Sequence, residues 1–479
     1  MFASPTFLSR SILLLLLFLS ACSPLTTAPS QQVTASVAVQ ITPSPAPTLQ
    51  PLGTPTVTVL PHLQVEPAQL KGVTIRFWHP LSGSAAESLA AAIKEFNRKN
   101  EWGIKVESSN WGSTGGLDEG IQSLQSDADL PNVVLASSEQ LRDWQSANNW
   151  MINLQDYLED TRWGLAESDV RDFNPAFWEQ DVLAGRRLGL PAVRTAHMLF
   201  YNLTWAQELG FIMPPTTPEE LQKQACAAAA AVNQDEDKAN NGTGGWIVST
   251  DPMAVLSWLE AFGAGPYDGG AAAGFEFNTP ETRAAFSYLR TMVDDGCAWV
   301  SRLPTPYDYF ANRQALFYSG SIEELPVQQL ANARAESPDR WTVIPYPGQD
   351  GEPVLVSSGL SYGIVAASKE QQLASWLLIR WLSTQEVDAD FVAASSTWPV
   401  RLSVNDLLAD YRQKNELWGQ TLLWIPKAVS APEQPAWRKA RLVLQDSAWQ
   451  LFQTNTKPEQ IPEILSILDA TTAEITNRR

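Results

Sequence analysis

Hydrophobic and polar positions alternate with a period of two at Val73, Ile75 and Phe77 against Thr74 and Arg76. That spacing predicts a strand, and Trp78-His79-Pro80 ends it. A helical stripe comes next. Leu89, Ile93 and Phe96 share one face opposite Lys94 and Glu95, with Ser84 as the expected N-cap, Glu87 in the box position, and Asn100 and Gly103 as the stop. Asn132 to Ala136 reads as a strand covered on both faces, ending in Ser137, Ser138 and Glu139. Strand, loop and helix in this order open a parallel α/β layer, in which ligands gather beyond the C-terminal ends of the strands.

The stretch from Leu188 to Asn202, LGLPAVRTAHMLFYN, reads as a crossover. A short strand is expected to end at Pro191, a polar segment to run from Ala192 to His197, and extended structure to restart at Met198 to Tyr201. A surface hairpin inside one α/β domain is the plainer alternative. Downstream, Thr217 caps a helix with Pro218 at its first position and Glu220 placed to close a capping box. DPMAVLSWLEAFGAG and the segment after Thr279-Pro280 are further helices, the second with Phe286, Leu289 and Val293 as its stripe and Gly296 as its stop. ALFYSGSIEEL predicts a strand broken at Gly320, and VLVSSGLSYGIVAAS predicts strand, glycine break and strand, before Ser368 caps a long helix. From Thr397 the tail is mostly helical.

Composition changes this picture at the N-terminus. Arg10 precedes an apolar run from Ile12 to Leu19, which has the length of a signal-peptide core rather than a membrane span. Leu19-Ser20-Ala21-Cys22 resembles a bacterial lipobox, which implies cleavage before Cys22 and its acylation. The segment that follows, to residue 71, is rich in Pro, Thr and Ser and nearly free of charge, which predicts an extended tether. Roughly 400 residues remain, more than one core usually serves, so two lobes are expected. The formal net charge is −19, without a Lys/Arg cluster, which argues against nucleic acid and against adsorption on anionic lipid. Cys226 and Cys297 are the other cysteines. Export permits a disulfide between them, with two buried thiols as the alternative.

Enzyme signatures are scarce: the chain has no G-x-S-x-G, no H-E-x-x-H and no P-loop, and three histidines in all, one of them, His62, in the tether. A carboxylate pair for glycoside hydrolysis stays open, because its members can come from any two strands. The acidic loop NQDEDKANNGTGG lacks calcium-loop ligands, since counting from Asp237 puts Ala239 at position three and Val248 at position twelve. No metal and no cofactor is expected. Tryptophan stands out instead, with nineteen copies, several at element ends. Indole faces suit the C–H faces of sugar rings. Trp78, Trp258 and Trp398 hold the most suggestive positions.

Six pieces occur together in order: TIRFWHPLSGS, LPNVVLASSEQL, GRRLGLPAVRTAHMLFYNLTWAQELGFIMPPTTPEEL, FANRQALFYSGSIEEL, SSGLSYGIVAASKEQQLASWLLIRWLST and STWPVR. Together they resemble the extracellular solute-binding proteins of bacterial ABC importers, in the maltodextrin-binding-like branch. The resemblance implies an α/β, two-lobed periplasmic-binding-protein fold of type II, joined by a multi-segment hinge with crossovers near Pro191, Gln349 and Ser383. The implied divisions are a signal peptide at 1–21, a lipidated tether at 22–71, lobe 1 at 72–191 plus 350–384, and lobe 2 at 192–349 plus 385–479. Carried over by position, Trp78, His79, Ser82, Ser138, Glu139, Arg194, Trp258, Ser321, Glu323, Ser358, Gly359, Trp398 and Arg401 line the cleft. The expected protein is a monomer held to the outer face of the cell membrane by its lipid, passing a sugar or oligosaccharide to a permease. A peptide or polyol phosphate is the alternative solute, and a lipid-anchored glycan-degrading enzyme or an adhesin is the alternative function.

Overall fold

The computed structural model describes residues 63–265, 267 and 274–477. The expected signal peptide, Cys22 and the expected tether up to residue 62 lie outside the described residues. The described residues fall within one compact unit, Val59–Arg479. Its packed body starts earlier than Gly72: Val65 and Leu70 are buried with Ile75, Phe77 and Leu377, and the Leu63 N–H donates to Asp160. The run of prolines conceals these two apolar anchors.

Strands β1 (Thr74–His79), β2 (Lys105–Asn110) and β3 (Val133–Ser137) are parallel neighbours. A short hairpin of β4 (Val182–Leu183) and β5 (Arg186–Arg187) precedes the long strand β6 (Leu190–Asn202). β7 (Gly244–Ile247), β8 (Ala298–Trp299) and β9 (Ala315–Ser321) are again parallel. β10 (Trp341–Ile344), β11 (Tyr346–Pro347), β12 (Pro353–Ile364) and β13 (Ala428–Ser430) complete the set. The main sheet has the order β2-β1-β3-β12-β6-β9-β7-β8, with β10 beside β6 and β11 and β13 beside β12. β6 and β12 are thus the antiparallel pair at its middle, with Ser358 opposite Thr195 and Gly359 opposite Arg194.

This pair separates two hydrophobic bodies. On one side Phe77, Leu135, Leu190, Val193, Tyr362 and Leu377 are buried together, with Leu117, Leu141 and Trp144 in an adjoining cluster. On the other side Leu199, Trp246, Trp258, Phe317, Val356 and Trp437 form a second core. The chain passes between them at Arg194–Thr195, at Ser357–Ser361, and around Phe391–Trp398.

Two expected breaks are corrected. Ala192 to His197 does not interrupt β6, which is one continuous strand, and Pro191 lies within it. β12 likewise runs through Ser358-Gly359 without a break. Polar residues persist in these strands because both edges are hydrogen-bonded and Arg194 is neutralised by Asp181. Gly320 sits inside β9 rather than ending it, since an added Cβ there would approach Phe200, Tyr318 and the Glu324 carboxylate at 2.9 Å. Helix α1 (Gly83–Lys99) takes Ser82 as its N-cap, while the Ser84 hydroxyl donates to the Ala394 carbonyl. The helix Pro218–Gln234 does start at Thr217, whose side chain accepts from the Glu220 N–H; the Glu220 carboxylate returns to Thr216 instead. Cys226 and Cys297 are joined in a disulfide that ties this helix to the entry of β8.

Candidate functional site

Register fixes where the strands end. β3 runs toward the middle pair, placing Ser137 opposite Leu360, and β1 and β2 are parallel to it. β9 runs toward the same pair from the other side, placing Ser321 opposite His197, with β7 and β8 parallel to it. The C-terminal ends of six parallel strands, three from each lobe, therefore converge on one cleft, with Thr195, Ser358 and Gly359 at its floor. Open α/β sheets bind ligands at such ends.

On the first wall, His79 is 4% exposed and its Nδ1 has no partner. Burial pushes its pKa down to about 4, so the imidazole is neutral at physiological pH. Trp78 packs on Trp111 with ring centroids 4.7 Å apart. Ser82 is exposed at the start of α1. Ser138 donates to Asp181 at 2.6 Å, and Glu139, on α3 (Ser138–Asn148), pairs with Arg441 at 3.1 Å.

On the second wall, the Ser321 hydroxyl lies 2.7 Å from that of Thr195 and donates to Glu323 at 3.1 Å. The Ser321 N–H donates to Glu324 at 2.8 Å. Glu323 keeps accessible surface, but the protein around it limits hydration, and the same loss of solvent raises both carboxyls above their usual range. His197 approaches Asp251 at 3.4 Å, and its Nδ1 is buried without a partner.

The structure corrects four expected cleft residues. Arg194 is wholly buried inside the hinge, where it bonds Asp181 at 3.1 Å, Ser361, and the carbonyls of Val193 and Leu360. Trp258 sits in the second core, edge-on to Trp246 and Tyr346. Trp398 is also buried; it stacks on Phe177 and donates its indole N–H to Thr421 at 2.9 Å. Arg401 donates to the Ser383 carbonyl at 2.6 Å and to Asp172 at 3.0 Å. It borders a cavity of about 580 Å³ with Trp102, Arg380 and Trp381, near the end of α1 remote from the cleft. In all four the polar or aromatic character that suggested a ligand instead satisfies buried neighbours.

The sequence reading missed Trp111 and Trp299, which follow or end strands β2 and β8, one in each lobe, each with a buried indole N–H lacking a partner. Trp111, directly before Gly112, carried the same element-end signal as Trp78; Trp299 lies on a strand too short to show a period. His197 and Asp251 were missed as well. Among the described residues no group of three or more His, Cys, Asp or Glu side chains is arranged to hold a metal ion. The cleft thus offers neutral imidazole, hydroxyl, carboxyl and indole N–H groups from two facing walls, a set suited to a solute rich in hydrogen-bonding groups.

Comparison with curated protein sequences yields no match. Among solved structures, the sugar-binding protein MalE of Xanthomonas citri is similar with TM-score 0.69 and 20% identity, covering 84% of this chain and 97% of its own. The cyclic α-maltosyl-1,6-maltose binding protein of Arthrobacter globiformis gives TM-score 0.69 at 15% identity, covering 84% and 99%. UgpB of Mycobacterium tuberculosis, in complex with glycerophosphocholine, gives 0.68 at 16%, covering 85% and 98%. These likenesses establish the two-lobed periplasmic-binding-protein fold. A family model described as bacterial extracellular solute-binding protein matches residues 91–419, more than half of the sequence. The chain therefore belongs to the bacterial extracellular solute-binding protein family.

Proposed function

We propose that this protein captures a carbohydrate between its lobes and delivers it intact to an ABC permease in the membrane. The observation that carries the reading is the facing of strand-end polar groups across the cleft, His79 and Ser138 on one wall and His197, Ser321 and Glu323 on the other. Hydroxyl groups, the neutral imidazole of His79 and partly desolvated carboxyls suit hydroxyls better than anions. The sugar-binding proteins of similar fold from Xanthomonas citri and Arthrobacter globiformis support this solute class. The likeness to the glycerophosphocholine-bound protein favours a polyol phosphodiester as the second reading. Ser82, Ser358 and Gly359 complete the proposed contact set, with Trp78 supporting Trp111, while Glu139 is engaged by Arg441 at the rim. Turnover is not part of the reading, and recovery of the intact solute separates capture from hydrolysis by a carboxylate pair.

In this account Cys22 carries a lipid, the tether holds a monomeric body outside the membrane, and residues near 72–191 with 350–384 and near 192–349 with 385–479 move as the two lobes. A solute touching both walls stabilises the closed arrangement by its differential affinity. The test is a thermal-shift screen of the purified protein against mono- and oligosaccharides and glycerophosphodiesters, with product analysis of every hit. A saturating rise in melting temperature from one sugar class, recovered intact, is expected. A rise from the phosphodiesters alone replaces the solute class, and cleaved products overturn the transport role.

A further inference from the structure

Arg438 and Arg441 lie on the helix Trp437–Leu451, whose inner face, Trp437, Ala440, Leu444, Ala448 and Leu451, is embedded in the second core. These arginines therefore move with lobe 2. Their partners belong to the other body: Asp118 is on α2 (Thr114–Gln122), and Glu139 and Asp143 are on α3. Leu117, Ile121, Leu141 and Trp144 hold these two helices in the lobe 1 cluster. Arg438 meets Asp118 at 2.9 Å and is also hydrogen-bonded to Asp143, while Arg441 meets Glu139 at 3.1 Å.

We propose that Arg438 and Arg441 are closure residues, which draw the lobes together at the cleft rim before any solute binds. The proposal rests on the two-lobed reading of the fold, and it concerns how that cleft is set. Spacing supports it on both sides, because residues three or four apart on a helix share a face. Arg438 and Arg441 form one such pair, and Glu139 and Asp143 form the other. Three carboxylates from two helices repel one another unless cations neutralise them, and the protein's net charge of −19 leaves few cations to spare. Closure brings two arginines to them. Arg438, Asp118 and Asp143 are 18%, 16% and 21% exposed, so this contact is screened less than a surface pair. A ligand's apparent affinity scales with the fraction of protein already competent to bind it, so these pairs tune affinity without touching the solute.

The test is made on the full chain without solute, using pulsed EPR between spin labels at the exposed Ser146 of α3 and Asp446 of the Trp437–Leu451 helix. We expect a short-distance population that shrinks as salt rises from about 0.01 M toward 1 M, where the Debye length falls to about 3 Å. Arg441→Glu should shrink it at low salt, and adding Glu139→Arg should restore it. Arg438→Gln should act like Arg441→Glu and have no such rescue. A distance distribution unmoved by salt and by both single variants overturns the proposal, and a shift that Glu139→Arg cannot reverse overturns the Arg441–Glu139 pairing. Because no solute is present, failure of the sugar screen leaves this result standing, and the reverse holds too.

Discussion

His79 illustrates how one residue can serve two ends. Its ring is buried at the end of β1, and its Nδ1 has no hydrogen-bond partner among the described residues. The folded-state pKa of about 4 lies below the ordinary value of 6.5. A depressed pKa contributes stability above the unfolded-state value, and that contribution is lost as pH falls from about 6.5 toward 4, amounting to at most about 3 kcal/mol. His79→Gln, which cannot titrate, should therefore flatten the acid limb of a stability–pH curve measured by denaturant midpoint. Parallel curves for the two proteins would show that burial of this ring costs nothing on protonation. Arg194 shows the opposite use of a charged residue. With Asp181 at 3.1 Å and three further hydrogen-bonding partners, Val193, Leu360 and Ser361, the last also donating to Asp181, it locks β6 to β12 and is unavailable to solute. Sequence could not distinguish it from a ligand arginine, because its partner lies 13 residues upstream beyond the β4–β5 hairpin.

At the scale of elements, periodic segments were legible and the hinge strands were not. β1, the stripe of α1, and the helices starting at Thr217, Thr279 and Ser368 stand where spacing and caps put them. β6 and β12 defeated the same reading because a strand paired on both sides tolerates polar residues, and their partners come from distant parts of the chain. Gly359 marks the closest approach: a Cβ built there would lie 1.9 Å from the Val193 carbonyl oxygen. Gly359→Ala should accordingly push the two strands apart, lowering the denaturant midpoint by the equivalent of about 2–3 kcal/mol. An unchanged midpoint would mean that the hinge pair is looser than its register implies.

For the whole molecule, the ordered set of motifs pointed to the two-lobed fold, and the strand directions now explain why residues distant in sequence share one cleft. His79 and Ser321 are the last residues of β1 and β9 and Glu323 follows β9, positions that strand spacing alone made visible. Trp258 and Trp398 were misread because a tryptophan near glycine or proline looks alike whether it caps a cleft or fills a core. The cross-lobe arginines were invisible for a related reason: on an amphipathic helix they resemble solvated charges, and only the packing of two separate cores reveals what they face. The most direct test of solute capture between lobes is titration calorimetry of the sugar identified by thermal shift, with wild type, His79→Gln and Glu323→Gln compared at pH 7. Contacts from both walls predict that each variant weakens binding about tenfold or more, roughly 1.4 kcal/mol, at unchanged one-to-one stoichiometry. Wild-type affinity in both variants would contradict the account and place the solute elsewhere.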